Sequence, residues 1–368
     1  MSITLISDIV ETARVMQIRG MFDIETQKTE TTTINDNIPD LTEKEWNIGL
    51  IVGASGTGKS TIAKKHFDQL LDPEVKWTDD SLIDNFSKEN TLKEIVATLT
   101  SVGLSSPPTW LRSYKTLSTG EKFRANTARL LLEHPELVAI DEFTSVVDRT
   151  VAQIASASIN KTVRKRKQKL VAVSCHYDII EWLQPDWIYE PQSGQFIWRS
   201  LQPRPTIQTN IIKVDKTAWQ LFSRHHYLDH NLNISAQCYL ATINEIPAVF
   251  CAVLPLPHPH LKNAYRVSRI VTMPDFQGVG IGSKVLDEIA SAYKAQKKTL
   301  YITTSHPSMI KSLNNSVDWK MNRKPSRVQP QGTSGKAMGH MKPTSLNRIT
   351  ASFSYCGKSN IIASQLIK

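Results

Sequence analysis

Residues Gly53-Ala54-Ser55-Gly56-Thr57-Gly58-Lys59-Ser60 constrain the fold of this chain more than any other stretch. A strand-like run from Trp46 to Val52 leads in, and helix-compatible Thr61-Ile62-Ala63-Lys64-Lys65 follows. The glycines let the backbone curl until its N–H groups point into one concavity, and the helix behind adds its positive end. A strand–loop–helix with this spacing cradles polyphosphate, with Lys59 reaching the β- and γ-phosphates and Ser60 ligating Mg2+. A chance glycine-rich turn is the plainer alternative, and the flanking strand and helix argue against it. The chain is expected to bind a nucleoside triphosphate through Gly53, Ser55, Gly56, Thr57, Gly58, Lys59, Ser60 and Thr61.

Four further stretches follow in order. Leu117-Ser118-Thr119-Gly120-Glu121 opens a helical run reaching Leu132. Leu137 to Ile140 is an apolar strand ending in Asp141 and Glu142, and Ser145-Val146-Val147-Asp148 comes at once. Leu170 to Cys175 is a second apolar strand, ending at His176. Each is weak alone. As an ordered set they resemble the ABC-type ATPases: phosphate loop, signature (Leu117 to Glu121), acidic strand, D-loop (Ser145 to Asp148) and switch histidine (His176). The resemblance implies ATP as ligand and Mg2+ held by Ser60 and, through water, Asp141. It makes Glu142 the residue that orients or deprotonates the attacking water, and His176 a contact to the γ-phosphate. Such hydrolysis is mainly positioning and electrostatic stabilisation. It also implies a homodimer through the ATPase domain, in which Ser118 and Gly120 complete the nucleotide site of the other copy. Ser118 with Glu121 three residues on reads equally as a capping box at a helix start.

Two departures from that family stand out. The stretch from Lys59 to the signature is short, which disfavours the helical subdomain that transporters use to grip a membrane partner. No clear glutamine loop is present, and Asp79 or Asp80 stands nearest its place. An adenine-stacking aromatic is expected upstream, with Phe22 and Trp46 as candidates, either of which could equally be core.

The second half has different grammar. An apolar run from Val267 to Met273 breaks at Pro274 and is followed by Gln277-Gly278-Val279-Gly280-Ile281-Gly282. An amphipathic helix comes next, from Ser283 to Gln296, with Val285, Leu286, Ile289 and Ala292 at helical spacing. This turn resembles motif A of the GNAT acyltransferases, where backbone amides and a helix N-terminus bind the pyrophosphate of coenzyme A. The rival is a dinucleotide-binding fold. The surrounding order favours the acyltransferase: a strand at Ile207 to Val214, a helix at Thr217 to Tyr227, and a hairpin of Gln237 to Ile243 with Pro247 to Leu254 around Asn244-Glu245. Later strands are expected at Thr299 to Thr303 and Arg348 to Tyr355. The resemblance implies acetyl-CoA or another acyl-CoA as donor, bound by Gln277, Gly278, Val279, Gly280 and Gly282. Transfer needs a base for the attacking amine and an acid for the thiolate. His226 or His306 is the candidate base, and Tyr227 an acid or orienting group. His225, His226, His258, His260 and His306 could instead converge on a metal, although no spacing is diagnostic.

Composition sets the outer limits. A chain of 368 residues suggests two domains, each able to bury a core. The fold class read from these features is α/β, a P-loop ABC-type ATPase domain followed by a GNAT-like α+β acyltransferase domain. The expected bounds are 1–200, a linker at 201–205, 206–358, and a tail at 359–368. Within the first domain, Val10 to Ile24 reads as strands beside the nucleotide, Gln27 to Pro39 as a loop, and Trp187 to Trp198 as closing elements. The chain lacks any apolar run of the roughly 18 residues that would suggest a spanning helix, and its first residues do not read as a secretory signal. Together these point to a cytoplasmic protein without a membrane partner. The four cysteines, Cys175, Cys238, Cys251 and Cys356, read as buried free thiols in a reducing compartment. Charge is lopsided: residues 311–368 carry ten Lys or Arg and one acidic residue, Asp318, within a net formal charge of +10. A second basic run spans Lys161 to Lys169. Such patches fit DNA or RNA, a solvated face, or in part the phosphates of coenzyme A. The His225-His226-Tyr227 segment and the Thr303-Thr304-Ser305-His306-Pro307 run also resemble, distantly, the Mom-type DNA-modifying phage enzymes. The whole resembles bacterial and phage proteins with the same fusion. The implied activity is an ATPase coupled to an acyltransferase that modifies nucleic acid. The rival is a nucleic-acid-binding ATPase switch whose second half binds without chemistry.

Overall fold

The computed structural model describes residues 2–22, 24, 29–67, 70–71, 75–202, 207–226, 230–258, 260–327, 349–361 and 363. Along the first half the elements are β1 (Ser2–Asp8), α1 (Ala13–Phe22), β2 (Thr29–Asn35), β3 (Ile48–Val52), α2 (Lys59–His66) and β4 (Leu70–Leu71). Next come α3 (Leu92–Ser101), α4 (Pro107–Trp110), α5 (Thr119–Glu133), β5 (Leu137–Ile140), α6 (Arg149–Arg166) and β6 (Lys169–Ser174). Then follow α7 (Ile179–Leu183), β7 (Trp187–Glu190) and β8 (Gln195–Trp198). The second half holds β9 (Asn210–Val214), α8 (Trp219–Ser223), β10 (Gln237–Ile243), β11 (Ile246–Pro255), β12 (Ala264–Thr272) and α9 (Ile281–Ala295). It ends with β13 (Thr299–Thr304), α10 (Pro307–Asn315), β14 (Trp319–Arg327) and β15 (Ile349–Tyr355).

Packing divides the chain into two compact units that do not follow chain order. One comprises residues 1–77, 86–91 and 122–205; the other comprises 78–85, 92–121 and 206–368. The segment that opens the signature helix, which the sequence reading places inside a 1–200 domain, therefore packs with the later residues.

The first unit is built on a six-stranded sheet of order β4-β5-β6-β3-β7-β8, parallel except that β8 runs antiparallel to β7. Its central strands are near-continuous apolar runs, Ile48–Val52 in β3 and Leu170–Val173 in β6, as a sheet covered on both faces requires. Ile51, Ile62, Val171, Val173, Trp187 and Tyr189 join one core. Gly49 is what admits Trp187, since a Cβ there would lie 2.0 Å from the indole. α6 turns Val151, Ala152, Ala155, Ile159 and Val163 inward at helical spacing.

Several expectations for this unit are corrected. Val10 to Ile24 holds the helix α1 rather than strands, and none of its residues is buried. The expected loop from Gln27 to Pro39 contains β2, whose β-branched threonines pair antiparallel with β1. Trp46 lies in the core edge-on to Trp187, while Phe22 is exposed on α1. Cys175 and Cys356 are exposed rather than buried, and Cys238 and Cys251 are buried.

The second unit carries a seven-stranded sheet, β14-β15-β13-β12-β11-β10-β9. All neighbours are antiparallel except β12 and β13. Asn244 and Glu245 turn the β10–β11 hairpin with φ of 49° and 66°, the left-handed pair that a two-residue turn needs. Phe250 and Ala252 of β11 pack on Trp219 and Phe222. By strand alternation Cys251 faces the other way, with its cross-strand partner Tyr239. That tyrosine shares a 3.0 Å hydroxyl contact with Tyr293 of α9, so α9 covers this opposite face. The basic stretch after Lys311 contains β14, paired with β15, and α10 fills 307–315. Residues 328–348 lie outside the described residues, as do 203–206 at the linker and most of the expected tail. Among the described residues no helix is long and apolar enough to cross a membrane.

Candidate functional sites

The first site lies along one edge of the six-stranded sheet. β3, β5 and β6 are parallel, so the chain leaves all three at the same edge. The Gly53–Ser60 loop follows β3, Asp141 and Glu142 follow β5, and His176 follows β6. Ligands of open parallel sheets bind at this carboxyl edge. The loop ends on Gly58, which caps α2 at φ 86° and ψ 15°. A side chain strains that left-handed conformation. A Cβ on Gly58 would also fall 2.5 Å from Ile34 of β2. The first-turn N–H groups of α2, from Lys59, Ser60 and Thr61, have no acceptor within the helix. Gly56 is likewise left-handed, at φ 80°. The Thr57 hydroxyl and Lys59 Nζ both donate to the Ala54 carbonyl, at 2.9 and 2.7 Å, while Ser55 is exposed on the rim.

Ser174, the last residue of β6, ties three loops together. Its carbonyl accepts from Gly53 N at 3.3 Å. Its hydroxyl donates to the Phe143 carbonyl at 3.1 Å and accepts from His176 N at 3.2 Å. One buried serine therefore fixes the phosphate loop, the acidic loop and the histidine loop. Sequence reading missed it because nothing distinguishes a serine at a strand end. Asp141 Oδ1 accepts from Glu142 N at 2.9 Å, and Glu142 is exposed in the left-handed region at φ 47°. A hydroxyl (Ser60) and a carboxylate (Asp141) are hard oxygen donors, the chemistry Mg2+ takes.

The signature segment belongs to the other unit. The capping box is present: Glu121 N donates to Ser118 Oγ at 3.3 Å, and Ser118 N to Glu121 Oε2 at 2.9 Å. Glu121 also accepts from Thr109 and Arg112, so the carboxylate is buried and fully used. Ser118 stays exposed, and Gly120 is buried. Asp79 forms a 2.5 Å ion pair with Lys115, both side chains exposed, and Asp80 accepts from the Thr78 hydroxyl.

The second site lies at the break between β12 and β13. The two strands pair in parallel only from Ala264–Thr299 to Val267–Ile302. Beyond that β12 follows β11 and β13 follows β15, so the pair parts toward its carboxyl ends. A bulge at Ser268 marks the parting, since Val253 opposes Val267 and Ala252 opposes Arg269. The Ser268 hydroxyl is buried there without a hydrogen-bond partner. The Gln277–Gly282 turn rises at the mouth of this gap. Gly278 and Gly280 are left-handed, at φ 98° and 86°, and Gly280 caps α9 with ψ 13°. Nothing lies within 4 Å of a Cβ built on Gly280, whereas one on Gly282 would meet the Thr272 hydroxyl at 2.6 Å. The N–H groups beginning α9, from Ile281 to Ser283, again lack helical acceptors, an arrangement that suits a diphosphate.

The histidines do not converge. Among the described residues no three His, Cys, Asp or Glu side chains are grouped to hold a metal. His226 is buried edge-on against Trp219, with ring centroids 5.6 Å apart. Its neighbour Tyr227 lies outside the described residues. Burial, then the charge of Arg224, pushes His225 below the usual imidazole range. His258 and His260 are exposed and meet edge to face, with ring centroids 6.0 Å apart. Both ring nitrogens of His306 are engaged, Nε2 with the Ser105 carbonyl at 2.9 Å and Nδ1 with the Ser308 hydroxyl at 2.7 Å. A carbonyl only accepts, so Nε2 carries the proton and Nδ1 accepts from the serine. Burial pushes this histidine down also. In this arrangement it has no lone pair left for a substrate proton. Gln277 is likewise committed: Oε1 accepts from Ser105 N and Oγ at 2.8 and 2.7 Å, and Nε2 donates to the Thr272 carbonyl at 2.9 Å.

No family model and no curated protein matches the chain. The solved structure of cbiO1 from Clostridium perfringens, described as part of the ABC transporter complex cbiONQ, is similar at a TM-score of 0.35 with 16% identity. The match covers 46% of this chain and 79% of that one.

Proposed function

We propose that the protein is a homodimeric, cytoplasmic ABC-type ATPase joined to a GNAT-type acyltransferase, which takes an acyl-CoA donor and modifies a nucleic acid. The observation that carries this reading is the likeness of the two glycine turns. Each follows a strand, each caps a helix through a glycine at φ 86°, and each presents first-turn N–H groups to an anion.

At the first turn, Lys59 and the N–H groups of residues 56–61 hold the phosphates, and Ser60 and Asp141 hold Mg2+. Bound by these two residues, Mg2+ would neutralise phosphate charge. Glu142 orients and deprotonates the attacking water, and His176 contacts the terminal phosphate. Ser118 and Gly120 reach the nucleotide of the second copy. At the second turn, the N–H groups from Gly278 to Gly282 hold the donor diphosphate, and the gap between β12 and β13 takes its pantetheine arm. The acceptor amine attacks the thioester carbonyl carbon. The C–N bond forms, the C–S bond breaks, the amine loses a proton to a base and the thiolate gains one. His226 and Tyr227 are the proton-transfer candidates. With both nitrogens engaged, His306 is given a positioning role instead. Lys320, Arg323, Lys324 and Arg327 are exposed along β14, at the edge of the sheet, and supply the contacts to acceptor phosphates.

The committed state of His306 favours a second reading, an ATPase switch whose acyltransferase-like half binds without chemistry. One experiment separates them. The protein is titrated calorimetrically with Mg·ATP and with acetyl-CoA. It is then incubated with ATP, labelled acetyl-CoA and DNA, and the DNA is digested to nucleosides for mass spectrometry. Heat from both ligands and a labelled nucleoside are expected. Heat from Mg·ATP with unmodified nucleosides selects the switch, and no heat from either ligand removes both readings.

A further inference from the structure

Ser105 lies between α3 and α4, in the segment that leads to Ser118, and it spends all three of its polar groups on the second site. Its N–H and hydroxyl hold Gln277 Oε1, and its carbonyl takes the Nε2 proton of His306. Gln277 follows β12, and His306 follows β13. One serine therefore clasps both lips of the gap where those strands part. Both Ser105 donors fill the glutamine Oε1 and the Thr272 carbonyl takes one Nε2 hydrogen, which leaves a single Nε2–H for a ligand.

On its other side Ser105 is braced. Leu104 N donates to the Leu99 carbonyl, and the Leu104 carbonyl accepts from Trp110 Nε1, each at 2.8 Å. Thr109, beside Trp110, donates to Glu121 at 3.1 Å, and the other oxygen of Glu121 accepts from Ser118 N. Hydrogen bonds and short lengths of backbone thus run unbroken from Thr272, at the end of β12, to the exposed Ser118. A contiguous, partly buried polar network of this kind can transmit a displacement, and a coupling measurement is what establishes that it does.

Resting on the function proposed above, we infer that Ser105 is a positioning residue that couples the Gln277–Gly282 turn to Ser118. It keeps the Gln277–Gly282 turn and the His306 lip in register with the segment bearing Ser118, so engagement of Ser118 by a nucleotide changes the grip of that turn on a diphosphate. By reciprocity, a ligand at the turn changes nucleotide affinity by the same factor.

The test uses the full chain with Mg·AMP-PNP and coenzyme A as probes. Hydrogen exchange is followed in peptides spanning 277–283, with and without Mg·AMP-PNP, for the native protein, Ser105→Ala and Ser105→Thr. Coenzyme A affinity is measured under the same conditions. The native turn should change its exchange on adding nucleotide, with coenzyme A affinity shifting about fivefold or more. Ser105→Ala should lose most of that response, and Ser105→Thr, which restores the hydroxyl, should recover it. Unchanged exchange in α9 and the strands shows that the alanine variant is folded. The inference is overturned if the native turn ignores nucleotide, or if Ser105→Ala responds as the native protein does. Should coenzyme A give no binding while nucleotide still alters the turn through Ser105, the donor assignment fails and the coupling stands.

Discussion

Gly58 and Gly280 form a matched pair for measuring what each site demands of its backbone. Their dihedrals are the same within 2°, so alanine carries the same left-handed strain at either, about 1–2 kcal/mol. Their surroundings differ. A Cβ at 280 meets nothing within 4 Å, while one at 58 falls 2.5, 2.7 and 2.8 Å from three carbons of Ile34. Carbon atoms pack at ~3.5–4.0 Å, so the buried isoleucine must move, at a further ~1–3 kcal/mol. Gly280→Ala should therefore cost about 1–2 kcal/mol, and Gly58→Ala about 2–5 kcal/mol. Peptide-level hydrogen exchange reads these costs locally, in α2 for one variant and α9 for the other, as loss of opening free energy. The Ile34→Ala change should narrow the gap when combined with Gly58→Ala, and leave Gly280→Ala unaffected. Equal costs at the two glycines, or no relief from Ile34→Ala, would refute the assignment of the excess to that side chain.

Other expectations follow from the same geometry. Ser174→Ala strands the buried Phe143 carbonyl and frees two loops, costing about 1–3 kcal/mol; steady-state ATPase assays should show the turnover rate falling further than nucleotide affinity. Asp36 is buried, which alone would raise its carboxyl, but hydrogen bonds and charge from Lys65 and His66 hold it below the ordinary value of 3.8. Its contribution is present above the unfolded carboxylate pKa and disappears as pH falls through the lower folded value, so urea unfolding of Asp36→Asn should show a flatter acid limb than the native protein. His225 and His306 are both pushed below the usual imidazole range, by burial foremost. Protons bind more readily to the unfolded chain, so stability gained above about pH 6.5 should decline below it, and replacing His306 with asparagine should weaken that dependence in denaturation curves.

What the sequence made legible was local. The turns at Gly53–Ser60 and Gln277–Gly282 could be read because left-handed glycine before a helix is a strong demand on residue type, and so could the Asn244-Glu245 hairpin. β2 was obscured because Thr29–Asn35 is polar, and its threonines favour a strand only once β1 lies beside them. β14 was obscured because its Lys and Arg residues read as a charged patch, although basic side chains are common on exposed edge strands. Ser105 and Gln277 are 172 residues apart, and no periodicity announces a contact at that distance. His306 was chosen for its chemistry, and only its neighbours Ser105 and Ser308 reveal that both nitrogens are spoken for.

The discontinuous partition of the chain has a consequence for biosynthesis. Ser105 is made 172 residues before Gln277 and 201 before His306, the two partners that its polar groups hold. A nascent chain halted near residue 200 would carry Ser105 without either partner, so its N–H, hydroxyl and carbonyl must bond water until Gln277 and His306 emerge.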